Sequence, residues 1–191
     1  MSEIKAIETY YDGRLFRSRL EARWAVFFKT LGVEYEYEPE GFSLDNGLMY
    51  LPDFRVQCFG LRGRRDAEPF DLYIEVKGLM DEESYAKIIL FSKHHPILIV
   101  NKIPEPHCSF DWNSLSAGNG MNGFSIYPFN YSTIDGDYFG AYPAAHDGKF
   151  YLMGDSMDYI RNDDVPNIEF AYTAARTARF EHKRAKDNFP R

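Results

Sequence analysis

Residues 72–78 (LYIEVKG) and residues 50–54 (YLPDF) carry the pattern that decides the fold. Because side chains at positions i and i+2 of a β-strand share one face, Glu75 and Lys77 should project together while the intervening apolar residues point into a core. An acidic and a basic side chain are therefore predicted side by side on one strand of a sheet.

Asp53 brings a second carboxylate to this strand. It lies in an apolar, strand-like run at residues 49–56, and the segment that follows is long enough to turn back, so that the two strands pair antiparallel. Asp53, Glu75 and Lys77 should then lie within several ångströms of one another. Two hard oxygen ligands on a rigid sheet suit Mg²⁺, which completes its shell with water and substrate phosphate. The pattern indicates metal-assisted phosphodiester hydrolysis.

Residues 18–31 predict a helix ahead of this strand pair. Their apolar side chains recur at steps of three and four, and Gly32 is placed to end the helix. Ser18, followed three residues later by Glu21, also fits a capping box. Two interpretations of Glu21 therefore stand: it caps its own helix, or it reaches the acidic site.

Pro52-Asp53, the Glu-Val-Lys at residues 75–77 and Glu21 on a preceding helix form an ordered set. This set resembles the PD-(D/E)XK nuclease superfamily, whose shared core is a restriction-endonuclease-like αβββαβ unit, and the first half of the chain carries the resemblance. Small members carried by phages and mobile elements are similar in three further stretches: residues 16–25 (FRSRLEARWA), 37–42 (YEPEGF) and 174–182 (AARTARFEH).

The resemblance implies an α/β fold and a set of roles. The expected fold is a restriction-endonuclease-like αβββαβ core with a mixed sheet, extended by an aromatic-rich β segment and a terminal helix. Asp53 and Glu75 are expected to hold Mg²⁺, with Mn²⁺ as a substitute, and the main-chain carbonyl of Val76 is a further candidate ligand. Glu21 would assist directly or through water, and Lys77 would orient or activate the attacking water.

Three segments are predicted along the chain: residues 1–103 as the nuclease core, 104–165 as a β-rich extension packed on the core, and 166–191 as a C-terminal helix. The strands predicted for the core are residues 33–38, 42–44, 49–56, 72–77 and 97–100. Asn46-Gly47 predicts a tight turn, Asp81 predicts the cap of a helix at 81–93, and the apolar run at 97–100 predicts a central buried strand.

The second half of the chain gives weaker patterns. Residues 124–129 and 149–153 predict strands, the latter after an Asp147-Gly148 turn. The many aromatic residues of this half either fill the core of a small sheet or stack on unpaired bases. A last helix is predicted at 167–186, where Arg176, Arg179 and Lys183 would share one face.

With 191 residues, 45% hydrophobic and 17% aromatic, the chain is predicted to form one domain with a substantial core. No apolar run approaches the roughly 20 residues that span a membrane, and residues 1–10 are too polar for a signal peptide. We therefore expect a cytoplasmic protein without a membrane partner, located in the bacterial host cytoplasm if a phage encodes it.

The net charge of −7 is unusual for a protein that binds nucleic acid. Basic residues are nevertheless clustered, and the predicted contacts to nucleic acid are Arg17, Arg62, Arg64, Arg65, Arg176 and Arg179. The other interpretation of these clusters is that they are solvated surfaces. The expected partner is nucleic acid, with DNA favoured, and a homodimer would suit duplex cleavage by one active site per chain.

The function predicted from these observations is a Mg²⁺-dependent endo- or exodeoxyribonuclease in a phage or mobile-element context. The main alternative is a catalytically inactive nuclease-fold protein that binds or inhibits another factor, which the negative charge favours. A third interpretation is purely structural, with Glu75 and Lys77 forming a surface ion pair worth at most about 1 kcal/mol.

The loop at residues 57–70 gives the first testable prediction. If Arg62, Arg64 and Arg65 contact phosphates, replacing all three with alanine should weaken DNA binding and flatten its dependence on salt concentration. Binding isotherms over a salt series measure both effects. Unchanged binding would show that the loop is only a solvated connection.

Overall fold

The computed structural model describes residues 6–61, 68–103, 141–154 and 165–180. These residues form three helices: α1 (Arg19–Thr30), α2 (Glu82–Ser92) and α3 (Val165–Thr177). They also form ten strands: β1 (Thr9–Tyr11), β2 (Arg14–Phe16), β3 (Tyr35–Tyr37), β4 (Phe42–Ser43), β5 (Met49–Tyr50), β6 (Phe54–Leu61), β7 (Phe70–Val76), β8 (Ile97–Val100), β9 (Ala141–His146) and β10 (Lys149–Gly154). None of the described helices is both long and apolar enough to cross a bilayer.

The ends of α1 follow the predicted capping signals. Ser18 is the N-cap in an extended conformation, and its side chain accepts a hydrogen bond from the Glu21 N–H at 3.1 Å. Gly32 adopts a φ of +69° just after the C-cap residue Leu31, a conformation that glycine tolerates better than other residues. The apolar stripe of the helix is buried, with Phe27 fully inaccessible.

The central sheet is mixed, which confirms the predicted α/β class. Among the described residues it has six strands in the order β8-β7-β6-β10-β9, with β3 also paired to β6. β6 runs antiparallel to β7 and to β3, whereas β8 runs parallel to β7 and β10 runs parallel to β6. The order α1-β3-β6-β7-α2-β8 is the predicted αβββαβ sequence of elements, with the β4–β5 hairpin inserted after β3.

One predicted strand is wrong. The run at 49–56 is divided into β5, which pairs with β4 in a separate two-stranded sheet, and β6, which lies in the central sheet. Pro52 falls at the break, because it has no N–H to donate to a ladder. Asp53 therefore lies in a bend immediately before β6 rather than within a continuous strand.

The sequence predicts β8 as a central strand, but within the described sheet it is an edge strand, next to β7. All four of its residues are nevertheless buried, because both faces of the sheet are covered. Leu98 and Val100 join the main core with α1 and α3, and Ile97 and Ile99 join a smaller core under α2 and the β4–β5 hairpin. A fully apolar strand can therefore reflect two covered faces rather than a central place in the sheet.

The second half of the chain extends the same sheet. The strand predicted after the Asp147-Gly148 turn is β10, whereas β9, with which it forms a hairpin, was not predicted. β10 also adds to the edge of β6. The strand predicted at 124–129 lies outside the described residues.

The terminal helix differs from its prediction. It starts at Val165 and ends at Thr177, with Tyr172 stacked on Phe27 of α1 at 4.6 Å between ring centroids. The prediction that Arg176, Arg179 and Lys183 share one helical face is wrong, because Arg179 follows the end of the helix. Lys183 lies outside the described residues.

Phe54 is the best site at which to test this core. Its side chain is fully buried and its ring lies 5.4 to 6.2 Å from those of Phe16, Phe28, Tyr35 and Tyr37. Phe54→Ala should lower the free energy of unfolding by about 3 to 5 kcal/mol, because it removes these contacts and leaves a cavity. Phe170→Ala is the control: that side chain is 68% exposed, so the change should stay within about 0.5 kcal/mol. Urea unfolding measures both changes. If the two variants lost the same free energy of unfolding, this description of the core would be wrong.

Candidate active site

The register of β6 and β7 brings the two predicted carboxylates together. Phe54 lies opposite Ile74, so one residue further along the ladder Asp53 lies opposite Glu75. Both acidic residues are buried, with 3% and 4% of their surfaces exposed. The site is therefore an acid pair at the end of the β6–β7 ladder, as the spacing of the sequence predicted.

Each carboxylate oxygen of Asp53 accepts one hydrogen bond. Arg17, the residue before the N-cap of α1, donates from Nη2 to Oδ1 at 2.6 Å. The main-chain N–H of Val76 donates to Oδ2 at 2.7 Å. The start of α1 and the end of β7 thus fix the orientation of Asp53 from two directions.

Burial raises the pKa of Asp53, and the neighbouring charge of Glu75 raises it further, to about 8. The Val76 N–H and the Arg17 guanidinium act in the opposite direction but do not compensate fully. Asp53 therefore holds its proton to a higher pH than an exposed carboxyl does, and a further cation at the acid pair would stabilise its ionised form.

Glu75 is bound by two donors. Tyr50 donates its hydroxyl to Oε2 at 2.7 Å, and Lys77 Nζ lies 2.8 Å from Oε1. Burial by itself lowers the pKa of Lys77, but Glu75 and Asp53 outweigh it, so the pKa is raised and Lys77 is an ammonium ion at neutral pH. Burial and the charge of Glu75 raise the pKa of Tyr50 well above its usual value, which keeps this residue a neutral O–H donor.

Glu21 makes the contacts of a helix cap. Its Oε1 accepts from the Ser18 hydroxyl at 2.7 Å, and its Oε2 accepts from the Tyr37 hydroxyl at 2.6 Å and the Arg17 N–H at 3.1 Å. Its charge nevertheless contributes to the raised pKa of Asp53, so the carboxylate lies close to the acid pair. Both interpretations of Glu21 therefore have a structural basis, and ligation of a metal stays a prediction.

Three residues of the site were not predicted. Tyr50 orients Glu75, Tyr37 orients Glu21, and Glu38 binds Arg17 through Oε1 at 2.7 Å from Nε. Glu38 has a φ of +48°, which is rare for a residue other than glycine, and its N–H donates to the Asp53 carbonyl at 2.8 Å. Tyr50 lies three residues before Asp53, and Tyr37 and Glu38 lie in the YEPEGF stretch at 37–42, but none of these positions indicated the contacts.

The arginines predicted to contact nucleic acid lie in different parts of the chain. Arg17 lies in the site, with its side chain 55% exposed beside the buried Asp53. Arg176 lies in the last turn of α3 and Arg179 just beyond it, whereas Arg62, Arg64 and Arg65 lie outside the described residues. A role of these five outer arginines in binding stays a prediction.

The donor set of the acid pair fits a hard divalent cation. Asp53 and Glu75 offer carboxylate oxygens only, and Mg²⁺ usually takes one or two protein carboxylates together with water. Within the described ranges, no three Asp, Glu, His or Cys side chains come together in a form that could hold a metal ion.

The fold and these side chains define a mixed α/β protein with a buried acid pair and an adjoining lysine. The chain is 29% identical over 100 residues to Endodeoxyribonuclease 1 of Enterobacteria phage T3. The match covers 48% of this chain and 55% of the relative, so the chain spans about half the length of the curated relative that it matches. No protein-family model matches the chain. The relative is a nuclease, which agrees with the class of activity predicted from the sequence.

The raised pKa of Asp53 gives a testable dependence of stability on pH. The unfolded pKa is about 3.9, so between about pH 4 and pH 8 the native state binds more protons than the unfolded state, and the contribution of Asp53 to stability falls as pH rises. Asp53→Asn should remove this dependence. The variant should therefore gain about 1 kcal/mol or more relative to wild type between pH 5 and pH 8.

Urea unfolding of both proteins in EDTA, at several pH values across this window, measures the difference. A difference that stays constant with pH would show that Asp53 ionises normally in the folded protein.

Proposed function

We propose that this chain is a divalent-metal-dependent nuclease of the PD-(D/E)XK superfamily that hydrolyses phosphodiester bonds in DNA, in a phage or mobile-element context. The observation that carries the proposal is the buried acid pair of Asp53 and Glu75 at the end of the β6–β7 ladder, with Lys77 bound to the same Glu75. The similarity to a phage endodeoxyribonuclease supports DNA as the substrate.

Asp53 and Glu75 would hold the cation, Mg²⁺ or Mn²⁺, and the carbonyl of Val76 is a further candidate ligand. Such a cation polarises the phosphoryl oxygen and lowers the pKa of its bound water, which provides a nucleophile near neutral pH. Glu21 would assist directly or through water, and its two oxygens accept hydrogen bonds from the start of α1 and from Tyr37.

Lys77 provides a fixed positive charge beside the reacting phosphate. Because it is an ammonium ion in this structure, it donates hydrogen bonds and orients the attacking water rather than removing its proton. Charge placed where the transition state becomes most anionic commonly contributes about 3 to 4 kcal/mol. Tyr50 positions Glu75 and so keeps the ligand oxygen and Lys77 in one arrangement.

Substrate binding requires positive charge around this acidic site. Arg17 is the described residue best placed for phosphate contact, because it combines a half-exposed guanidinium with direct contact to Asp53. The proposal also includes the outer arginines, a homodimer that would cut both strands of a duplex, and action in the bacterial host cytoplasm.

The direct test is a cleavage assay of the purified protein on supercoiled, linear, single-stranded and branched DNA and on RNA, with Mg²⁺, Mn²⁺ or EDTA. The proposal expects DNA cleavage that needs the metal and stops in EDTA. Metal-independent binding without cleavage of any substrate would support the alternative, a catalytically inactive nuclease-fold protein.

Two substitutions separate the roles within the site. Asp53→Ala should abolish cleavage and weaken metal binding, because it removes a ligand. Lys77→Ala should lower the cleavage rate by about 100-fold or more yet leave metal binding largely intact, because the lysine acts on water and phosphate. Single-turnover cleavage and calorimetric titration with Mn²⁺ give the two readouts.

Glu21→Gln is the comparison variant, and its effect should be milder than that of Asp53→Asn because the amide can keep part of the cap. If Lys77→Ala cut DNA as fast as wild type, the activity would belong to a contaminant or to a different site.

A further inference from the structure

Arg17 occupies an unusual position, because its guanidinium joins two carboxylates at the entrance to the site. Nη2 lies 2.6 Å from Asp53 Oδ1, and Nε lies 2.7 Å from Glu38 Oε1. The side chain of Arg17 is 55% exposed and that of Asp53 only 4% exposed. The arginine thus covers the solvent side of a buried carboxylate.

The contact to Asp53 competes with any cation that binds the acid pair. The Val76 N–H binds Oδ2 of Asp53, and the Arg17 guanidinium binds Oδ1. Oδ1 is therefore the oxygen at which a metal ion would meet the positive charge of Arg17. Two cations cannot occupy the same side of one carboxylate oxygen without strong repulsion. A divalent ion that binds Oδ1 would therefore displace the guanidinium.

Glu38 would retain the displaced guanidinium at the site. The backbone of Glu38 is held in the left-handed region, and its N–H donates to the carbonyl of Asp53 at 2.8 Å. The main chain of Glu38 is thereby fixed relative to that of Asp53, and its side chain starts from the same place whatever ion Asp53 binds. A guanidinium presents five N–H donors in a planar fork, so Arg17 can remain bound to Glu38 through Nε and offer its other groups to a phosphate.

We propose that Arg17 is a movable counter-ion that couples cation binding to substrate binding. In the metal-free protein its guanidinium contacts Asp53, and when a divalent cation binds Asp53, the guanidinium stays on Glu38 and binds an oxygen of the DNA backbone. This inference rests on the proposed function and adds a positioning role for Glu38. Metal and DNA then strengthen each other's binding, as two linked ligands must when each favours the same state.

The test measures binding rather than cleavage. Mn²⁺ affinity is measured by calorimetry without DNA. DNA affinity is measured with and without Mg²⁺ in a Lys77→Ala background, which should cut at least about 100-fold more slowly than wild type. Arg17→Ala should bind Mn²⁺ about fivefold more tightly, because a competing cation is gone. The gain in DNA affinity on adding Mg²⁺ should be several-fold smaller than in the parent protein.

Glu38→Gln provides an independent variant with a different expected pattern. Arg17 then keeps its contact to Asp53 but loses its anchor, so Mn²⁺ affinity should not rise while the Mg²⁺-dependent gain in DNA affinity falls. Arg55→Ala is the matched control: Arg55 also bridges two carboxylates, those of Glu36 and Asp71, and both measurements should be unchanged. Arg17→Lys should keep part of the coupling between metal and DNA binding, because lysine retains the positive charge. It should lose the rest, because an ammonium cannot bind Glu38 and a phosphate with the planar fork of a guanidinium.

Weaker Mn²⁺ binding by Arg17→Ala would overturn the inference and show that Arg17 only orients Asp53. An undiminished gain in DNA affinity in this variant would overturn it as well. Mn²⁺ binding that is absent, or unaffected by Asp53→Asn, would overturn the proposed function and this inference with it. Glu38→Gln and Arg17→Lys keep the test decisive if Arg17→Ala does not fold.

Discussion

The repulsion between two buried carboxylates constrains the whole region around the end of the β6–β7 ladder. Asp53 and Glu75 lie opposite each other with almost no exposed surface. Burying one charge is unfavourable, and burying two of the same sign is more so unless donors and cations compensate. Each acid has two such partners. Arg17 and the Val76 N–H bind Asp53, and Tyr50 and Lys77 bind Glu75.

These compensating groups come from separate elements, which explains why the fold is built as it is. Arg17 precedes the N-cap of α1, and Tyr50 comes from the small β4–β5 sheet. Glu75 lies in β7, and Lys77 directly follows the end of this strand. The break at Pro52 allows β5 to leave the central sheet, so that Tyr50 can approach Glu75 from β5. The α/β scaffold therefore places a cation or a donor on each side of the acid pair.

Much of this could be predicted from the sequence, because the signals were local and periodic. The alternation around Glu75 placed it on a strand, although Lys77, predicted on the same strand, lies one residue past its end. The Ser18 and Glu21 spacing located the start of α1, and the bounds predicted for β8 agree with the structure. The break within 49–56 was missed because the apolar pattern continues on both sides of Pro52. The contacts of Arg17, Tyr37 and Glu38 join side chains distant in sequence, and no local pattern specifies such contacts.

The parallel pairing of β10 with β6 has a consequence for how the chain acquires its structure. β6 meets β7 after a loop of modest length, but Cys58 meets Phe150 only after about ninety further residues. During synthesis from the ribosome, the far half of β6 therefore exposes an unpaired edge until the β9–β10 hairpin emerges. An unpaired strand edge is a template for pairing with other chains, so this interval is the stage of folding at which aggregation is most favoured.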